Sequence, residues 1–412
     1  MKLSKLLMAI CISAIFTLGI FGLHLSAPSV INNFSADSNR ISDAFAKDMY
    51  AYHQTNPEFA RRIVTSSLIE TVHVVCGLDY AYSFVWVNFS LLFLCGIILY
   101  YLARSFSLSH RTSLLTVALF YTSFTILFAF FADIFSYDDP LQYVCIFLTM
   151  LALSHRQWFF ASCAWFVAVF ARETSVLLIP GLLLLFWSSH ITQELPLRKK
   201  IIYFALTFGV PIAMYVGLIY MYLSHINFLE MSSQYFQNER WSHVAFNFGS
   251  LQQSSETIIS LFLASGIIVY ALYHYIVSGL STAFDKKVLL AFLITSAINI
   301  PLVLLGARAR EVRLFAFPLV FMWPFAGWYV SRVLKVFPFK EYVESWRKRE
   351  HLISNTIFLV FGLVLIGVAY LFSWYVYQPI SSAGIYFQMY IFVLLVFVII
   401  YELITFQVRS DV

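Results

Sequence analysis

The sequence predicts an all-α polytopic membrane protein with about twelve transmembrane helices, and three observations carry that expectation. Of its 412 residues, 61% are hydrophobic and 11% charged, against about half and about a quarter in soluble domains. Twelve apolar runs punctuate the chain, at 6–25, 82–103, 112–132, 141–154, 157–171, 174–189, 201–223, 257–277, 288–306, 314–334, 353–375 and 385–407. The charges between these runs are also biased, with most of the Lys and Arg, including the clusters Arg198-Lys199-Lys200 and Lys286-Lys287, in alternate gaps.

The first run follows Met1-Lys2-Leu3-Ser4-Lys5 and extends to Leu25. About 20 apolar residues span a bilayer core, whereas a signal peptide's apolar region is about 7–15, so an uncleaved first helix is expected. The second and third runs are of full length. The fourth, fifth and sixth are short: about 15 residues make a helix near 22 Å, less than the ~30 Å hydrocarbon core. Tilted, broken or sheltered helices are expected there. The remaining six runs are again long enough to cross.

Twelve crossings return both termini to one face. With the N-terminus inside, about two-thirds of the 26 Lys and Arg fall on the cytoplasmic side, and two-thirds of the 21 acids on the other. The formal charge of +5 is then a matter of topology and needs no anionic partner. This threading predicts two long outer connections, 26–80 and 224–256, within a single domain covering 1–412. In the first, Ile41, Phe45 and Tyr52, then Phe59 and Ile63, recur at helical intervals around the break at Asn56-Pro57. Two amphipathic helices lying along the membrane surface are expected.

Several function classes drop out. Aromatics reach 19%, which suits lipid-facing surfaces, but no continuous basic groove accompanies them, so nucleic acid is not a partner. Cys11, Cys76, Cys95, Cys145 and Cys163 form no CxxC pair and read as small buried hydrophobes. His53, His73, His225 and His243 lack ligand spacing, so no metal site is expected. Neither a Walker motif nor a Rossmann glycine run occurs. The sequence calls for no cofactor and gives no indication of a divalent cation.

Chemistry concentrates in four outer stretches. They are Asp48 to Arg61-Arg62; Asp133 to Asp138-Asp139-Pro140; Arg172-Glu173-Thr174; and Arg308-Ala-Arg310-Glu311-Val-Arg313. Asp139-Pro140 is a good helix start, so Asp139 also reads as a cap. Arg172-Glu173 lies between two short apolar runs, where a charged pair facing lipid is costly and one facing a wet cavity is not. Arg308, Arg310 and Arg313 stand on the side that normally excludes arginine, and binding a phosphate or carboxylate gives them a reason to be there.

The layout of these stretches resembles the bacterial multi-spanning glycosyltransferases of superfamily C. These take a sugar from a polyprenyl-phosphate carrier at the outer face of the inner membrane. Similar features are the large outer loop after the first span, the second acidic loop after the third, and the short helices flanking Arg172-Glu173-Thr174. Asp48 followed by Pro57-Glu58-Phe59-Ala-Arg61-Arg62, together with Asp139-Pro140-Leu141 and Arg310-Glu311-Val312-Arg313, is similar to stretches in related bacterial proteins.

The resemblance implies transfer from a polyprenyl-phosphate sugar to a lipid or glycan acceptor. Asp48 would be the general base, with Asp138 or Asp139 orienting the acceptor or taking that role. Arg61 or Arg62, Arg172, and Arg310 or Arg313 would hold the carrier phosphate, and Asp133, Glu173 and Glu311 would line the substrate site. A secondary transporter or lipid-linked-sugar flippase is the leading alternative, and an O-antigen-type polymerase and a non-catalytic assembly subunit are others.

Overall fold

A computed structural model describes residues 3–26, 43–55, 57–129, 138–187, 195–223, 242–307, 309, 312–335, 337–348, 351–376 and 384–410, and the features below belong to these. The expected site residues Asp133, Arg310 and Glu311, with Arg308, lie outside them.

Among the described residues the chain is helical, with no strand. Seven helices are long and apolar enough to cross a membrane. They are α1 (Leu3–Ser26), α4 (Tyr80–Ser105), α9 (Leu197–Phe204 continuing through a π turn into Val210–Leu223), α11 (Leu251–Val277), α12 (Ala283–Gly306), α14 (Leu352–Leu371) and α15 (Gly384–Ser410). A bent unit, α13, joins Arg313–Phe321 to Trp323–Ser345 at 63° and makes an eighth if counted as one span.

Four shorter apolar helices complete the apolar set: α3 (Ile63–Cys76), α6 (Asp139–Ser154), α7 (Trp158–Ala171) and α8 (Glu173–Trp187). The last three match the three short runs of the sequence. Polar or shorter elements are α2 (Asp43–Thr55), α5 (His110–Thr122) and α10 (Ser242–Phe248).

Local chemistry sets the helix ends. Asp79 accepts from the Tyr82 N–H and Ser109 from the Thr112 N–H, each satisfying a first-turn donor. Thr282 and Asp285 form a reciprocal capping box at the start of α12. Pro140 occupies the first turn of α6, where its missing N–H costs nothing. At Gly77 the chain turns left-handed, φ +65°, between α3 and α4.

The short helices form the centre. Nearly every side chain of α6 is buried, and Phe147 packs with Phe120, whose ring stands edge-on to Trp323 at 5.3 Å. Helices approach closely at glycines: Gly96 lies against Tyr121 and Ser13, and Gly327 against the backbone at Thr112 and Thr116. The long helices expose apolar side chains, as Ile353, Ile357, Val360 and Val364 do on α14. Such a surface suits lipid, and the chain is a membrane protein by this pattern.

Two sequence expectations change. Among the described side chains of α2, Ala46 and His53 are buried, Met49 and Tyr50 half-buried and Tyr52 exposed, so Tyr52 lies off the inward face expected for it; Ile41 lies outside the described residues. The first outer segment also holds an apolar helix, α3, which packs through Ile69 and Val72 against Tyr80, Phe84 and Val87 of α4. It stands beside a long helix instead of lying across its end, because Ile69, Val72 and Val64 give it a second apolar contact surface. Of the cysteines, Cys95 and Cys145 are buried, while Cys11, Cys76 and Cys163 are exposed on apolar helices.

Candidate functional site

Four separated stretches of chain meet in one ion network. Asp138 and Asp139 open α6. Arg172 and Glu173 form the corner between α7 and α8. Arg61 and Arg62 precede α3, and Arg313 opens α13.

The contacts interlock. Glu173 accepts from Arg61 Nη2 at 2.7 Å and from Arg62 Nε and Nη2, each at 3.2 Å. Arg62 Nη1 lies 3.6 Å from Asp138 Oδ2. Arg172 Nη1 donates to Asp139 Oδ1, and Arg313 Nη1 lies 3.5 Å from Asp139 Oδ2. Asp138, Asp139, Arg62, Arg172 and Arg313 are buried, while Arg61 and Glu173 are about one-fifth exposed and form the open edge.

Neutral side chains fix the corner. Gln142 Nε2 donates to Ser175 Oγ at 2.9 Å, and Ser175 Oγ in turn bonds the carbonyls of Ala168 and Arg172. The Arg172 backbone is extended between two helical segments, which aims its guanidinium back across the α6 N-terminus. On the other side, the Arg62 guanidinium lies over the Phe59 ring at 5.2 Å.

Depth follows from helix register. Cys95 Sγ contacts the Pro140 carbonyl at 3.5 Å, and α4 begins fifteen residues earlier at Tyr80, about 22 Å at 1.5 Å per residue. The Phe170 ring meets Tyr215 of α9 at 5.0 Å, and α9 runs on for eight residues to Leu223, about 12 Å. The α6 N-terminus therefore lies part-way along α4, level with Cys95, and not at that helix's end. At the other end, Ser154 Oγ bonds Ser105 Oγ at 3.1 Å, so α6 and α4 finish together.

Four guanidinium groups face three carboxylates, leaving one formal positive charge among these seven residues. The pairing is uneven. Asp139 is held by two arginines. Among the described residues, Arg172 Nε has no hydrogen-bond partner, while the Asp138 carboxylate, beside Thr65 and Arg62, and Asp139 Oδ2, beside Arg313, lack a hydrogen bond of ordinary geometry. Buried polar atoms left open are rare and point to water or a ligand group that completes them.

Burial pushes the Asp138 carboxyl up to about 6, against the pull of Arg62 and Arg172. Burial, with Arg62 and Arg313 nearby, brings the Arg172 guanidinium down to about 9, which leaves it charged at neutral pH.

The chain matches no protein-family model, no curated protein and no solved structure. The site is therefore read from its own geometry.

Of the site residues expected from sequence, Asp138, Asp139, Arg61, Arg62, Arg172, Glu173 and Arg313 come together. Asp48 does not join the described network; it stands on the exposed face of α2, away from the stripe Ala46–Tyr50–His53. The sequence reading missed Thr65, Ser175 and Tyr215. Tyr215 lies within electrostatic reach of Glu173, Arg61 and Arg62. These are neutral residues inside apolar helices, and only a polar residue amid an apolar run signals them. Gln142 was visible in this way beside Asp139-Pro140.

Proposed function

We propose that the protein is a membrane glycosyltransferase that moves a sugar from a polyprenyl-phosphate carrier to a lipid or glycan acceptor. The reading includes about twelve crossings, made up of the long helices, the bent α13, the short helices and the α5 region. Both termini are cytoplasmic and the network's open edge faces the periplasm of a bacterial inner membrane, as the basic clusters favour.

One observation carries it: four arginines and three carboxylates gathered at the ends of apolar helices, buried except at the Arg61–Glu173 edge. Charge among apolar helices is costly unless it meets water or an anion. A carrier lipid supplies a phosphate on an apolar tail. Exposed apolar side chains on α3 (Val74, Val75) and α9 (Met214, Leu218) suit such a tail.

The chemistry assigns distinct roles. Asp139, held by Arg172 and Arg313, orients the arginines. Asp138, buried inside the network with Arg62 3.6 Å from its Oδ2, is the better base than Asp48. The phosphate would draw Arg62 away from Asp138 and Glu173, exposing the Asp138 carboxylate. The acceptor hydroxyl oxygen then bonds to the sugar C1 as the bond from C1 to the phosphate oxygen breaks. Its proton passes to Asp138, and the released carrier phosphate keeps the electron pair. Charge grows on that phosphate during bond breaking, so fixed guanidinium groups stabilise the transition state more than the ground state.

Purified protein in nanodiscs, supplied with a panel of polyprenyl-phosphate hexoses and pentoses and assayed for transfer, tests this. Asp138→Asn should lower transfer by roughly 10²–10⁴-fold, the usual worth of a positioned base, and Asp48→Asn should leave it near wild type. Full activity in Asp138→Asn contradicts the role, and absence of transfer or release from every donor contradicts the function. Transport is favoured by one feature, the break at Gly266 (φ +54°) inside α11. Substrate uptake into sealed vesicles without chemical change would support it.

A further inference from the structure

The second long connection contains α10, and its buried Asn247 spends its side chain on a distant part of the chain. Asn247 Nδ2 donates to the carbonyls of Leu304 and Ala307, each at 3.0 Å, and Oδ1 accepts from the Ala309 N–H at 2.9 Å. Its own carbonyl accepts from Thr257 Oγ1 at 3.0 Å, tying α10 to α11. A side chain added at Gly249 would collide with the Ala245 carbonyl, so the turn that delivers Asn247 requires that glycine.

These bonds fall at the end of α12 and on the connection leading to Arg313. Helix ends leave carbonyls unsatisfied, and a remote cap alone would account for two of the three. The third, to Ala309, fixes the connection itself. On the far side, Asn299 Nδ2 donates to the Leu314 carbonyl at 2.8 Å. Arg313 thus sits between two backbone points that asparagines hold, with buried Ala309 and Val312 beside it. Its guanidinium meets Asp139 at 3.5 Å.

We infer that Asn247 is a positioning residue that sets Arg313 against Asp139, with Asn299 as the second anchor. The placement stands on geometry alone. Its consequence for phosphate binding rests on the proposed function.

The test uses the full chain in detergent, with Asn247→Ala, Asn299→Ala, Arg313→Gln and the two double variants that include Arg313→Gln. If the asparagines act through Arg313, the Tm loss from Arg313→Gln shrinks by at least half in either asparagine background. The same loss stays unchanged in an Asp285→Asn background, whose site lies at the opposite end of α12. Polyprenyl monophosphate is the binding probe. Arg313→Gln should weaken it roughly tenfold, and each double variant should bind no more weakly than Arg313→Gln alone.

Additive Tm losses in both asparagine backgrounds overturn the inference. Asn299→Ala, which removes one bond, keeps the test open if Asn247→Ala fails to fold. Should the wild type bind no polyprenyl phosphate, the proposed function fails while the Tm comparison still decides the role of Asn247.

Discussion

Replacing Arg172 by Met removes the guanidinium bonded to Asp139 and leaves that carboxylate, which is about one-twentieth exposed, facing only Arg313 at 3.5 Å among the described cations. Breaking a buried ion pair from one side costs roughly 3–5 kcal/mol, because the abandoned charge stays desolvated. Arg313 remains, which puts the cost at the lower end, about 3 kcal/mol. For a chain of this size, at about 2 °C per kcal/mol, the apparent Tm should fall by roughly 6 °C.

The diagnostic step is the second substitution. Adding Asp139→Asn removes the stranded charge while keeping an oxygen for Arg313, so Arg172→Met/Asp139→Asn should regain at least half the loss. Thermal unfolding of the solubilised protein, followed by tryptophan fluorescence, reads both variants. A Tm within 1 °C of wild type for Arg172→Met, or a further additive drop in the double variant, refutes the reasoning that these charges are buried partners.

Three other outcomes follow from the structure. Burial holds the Asp138 pKa at about 6, above its unfolded value of about 4, so the folded protein binds that proton more tightly. This stabilisation is present below about pH 4 and is lost as pH rises through about 6; Asp138→Asn should remove that slope from Tm against pH and be the more stable form at pH 7. As the base, Asp138 should also give transfer an acidic limb with its midpoint near pH 6, and a flat profile from pH 5 to 7 would count against it. Gly96→Ala places a methyl against the Tyr121 and Ser13 hydroxyls and should cost roughly 1–3 kcal/mol, read in the same unfolding assay. Arg61→Gln removes the partly exposed arginine of the network, so Tm should move by under about 2 °C while polyprenyl-phosphate binding weakens roughly tenfold.

The sequence made the helical membrane class and the three short central helices legible, since an apolar run's length is its helix's length. Arg172-Glu173 stood out because a charged pair between apolar runs needs a polar partner. That Glu173 takes Arg61 and Arg62, more than a hundred residues earlier, was not legible, because ion pairing across a fold leaves no spacing pattern. That Asp48 lies apart from these groups was not legible either: a helix turns 100° per residue, and the stripe through Ala46, Tyr50 and His53 leaves Asp48 on the exposed face. Asn247 was invisible because a neutral residue in a polar connection carries no charge or period to mark it.

The most direct measurement is the identity of the lipid that copurifies with the protein, read by native mass spectrometry on wild type and on Arg61→Gln/Arg62→Gln. A polyprenyl-phosphate species on the wild type, lost in the double variant, is the predicted result. Ordinary phospholipids alone, bound equally by both, would contradict the account of the network as a carrier-phosphate site.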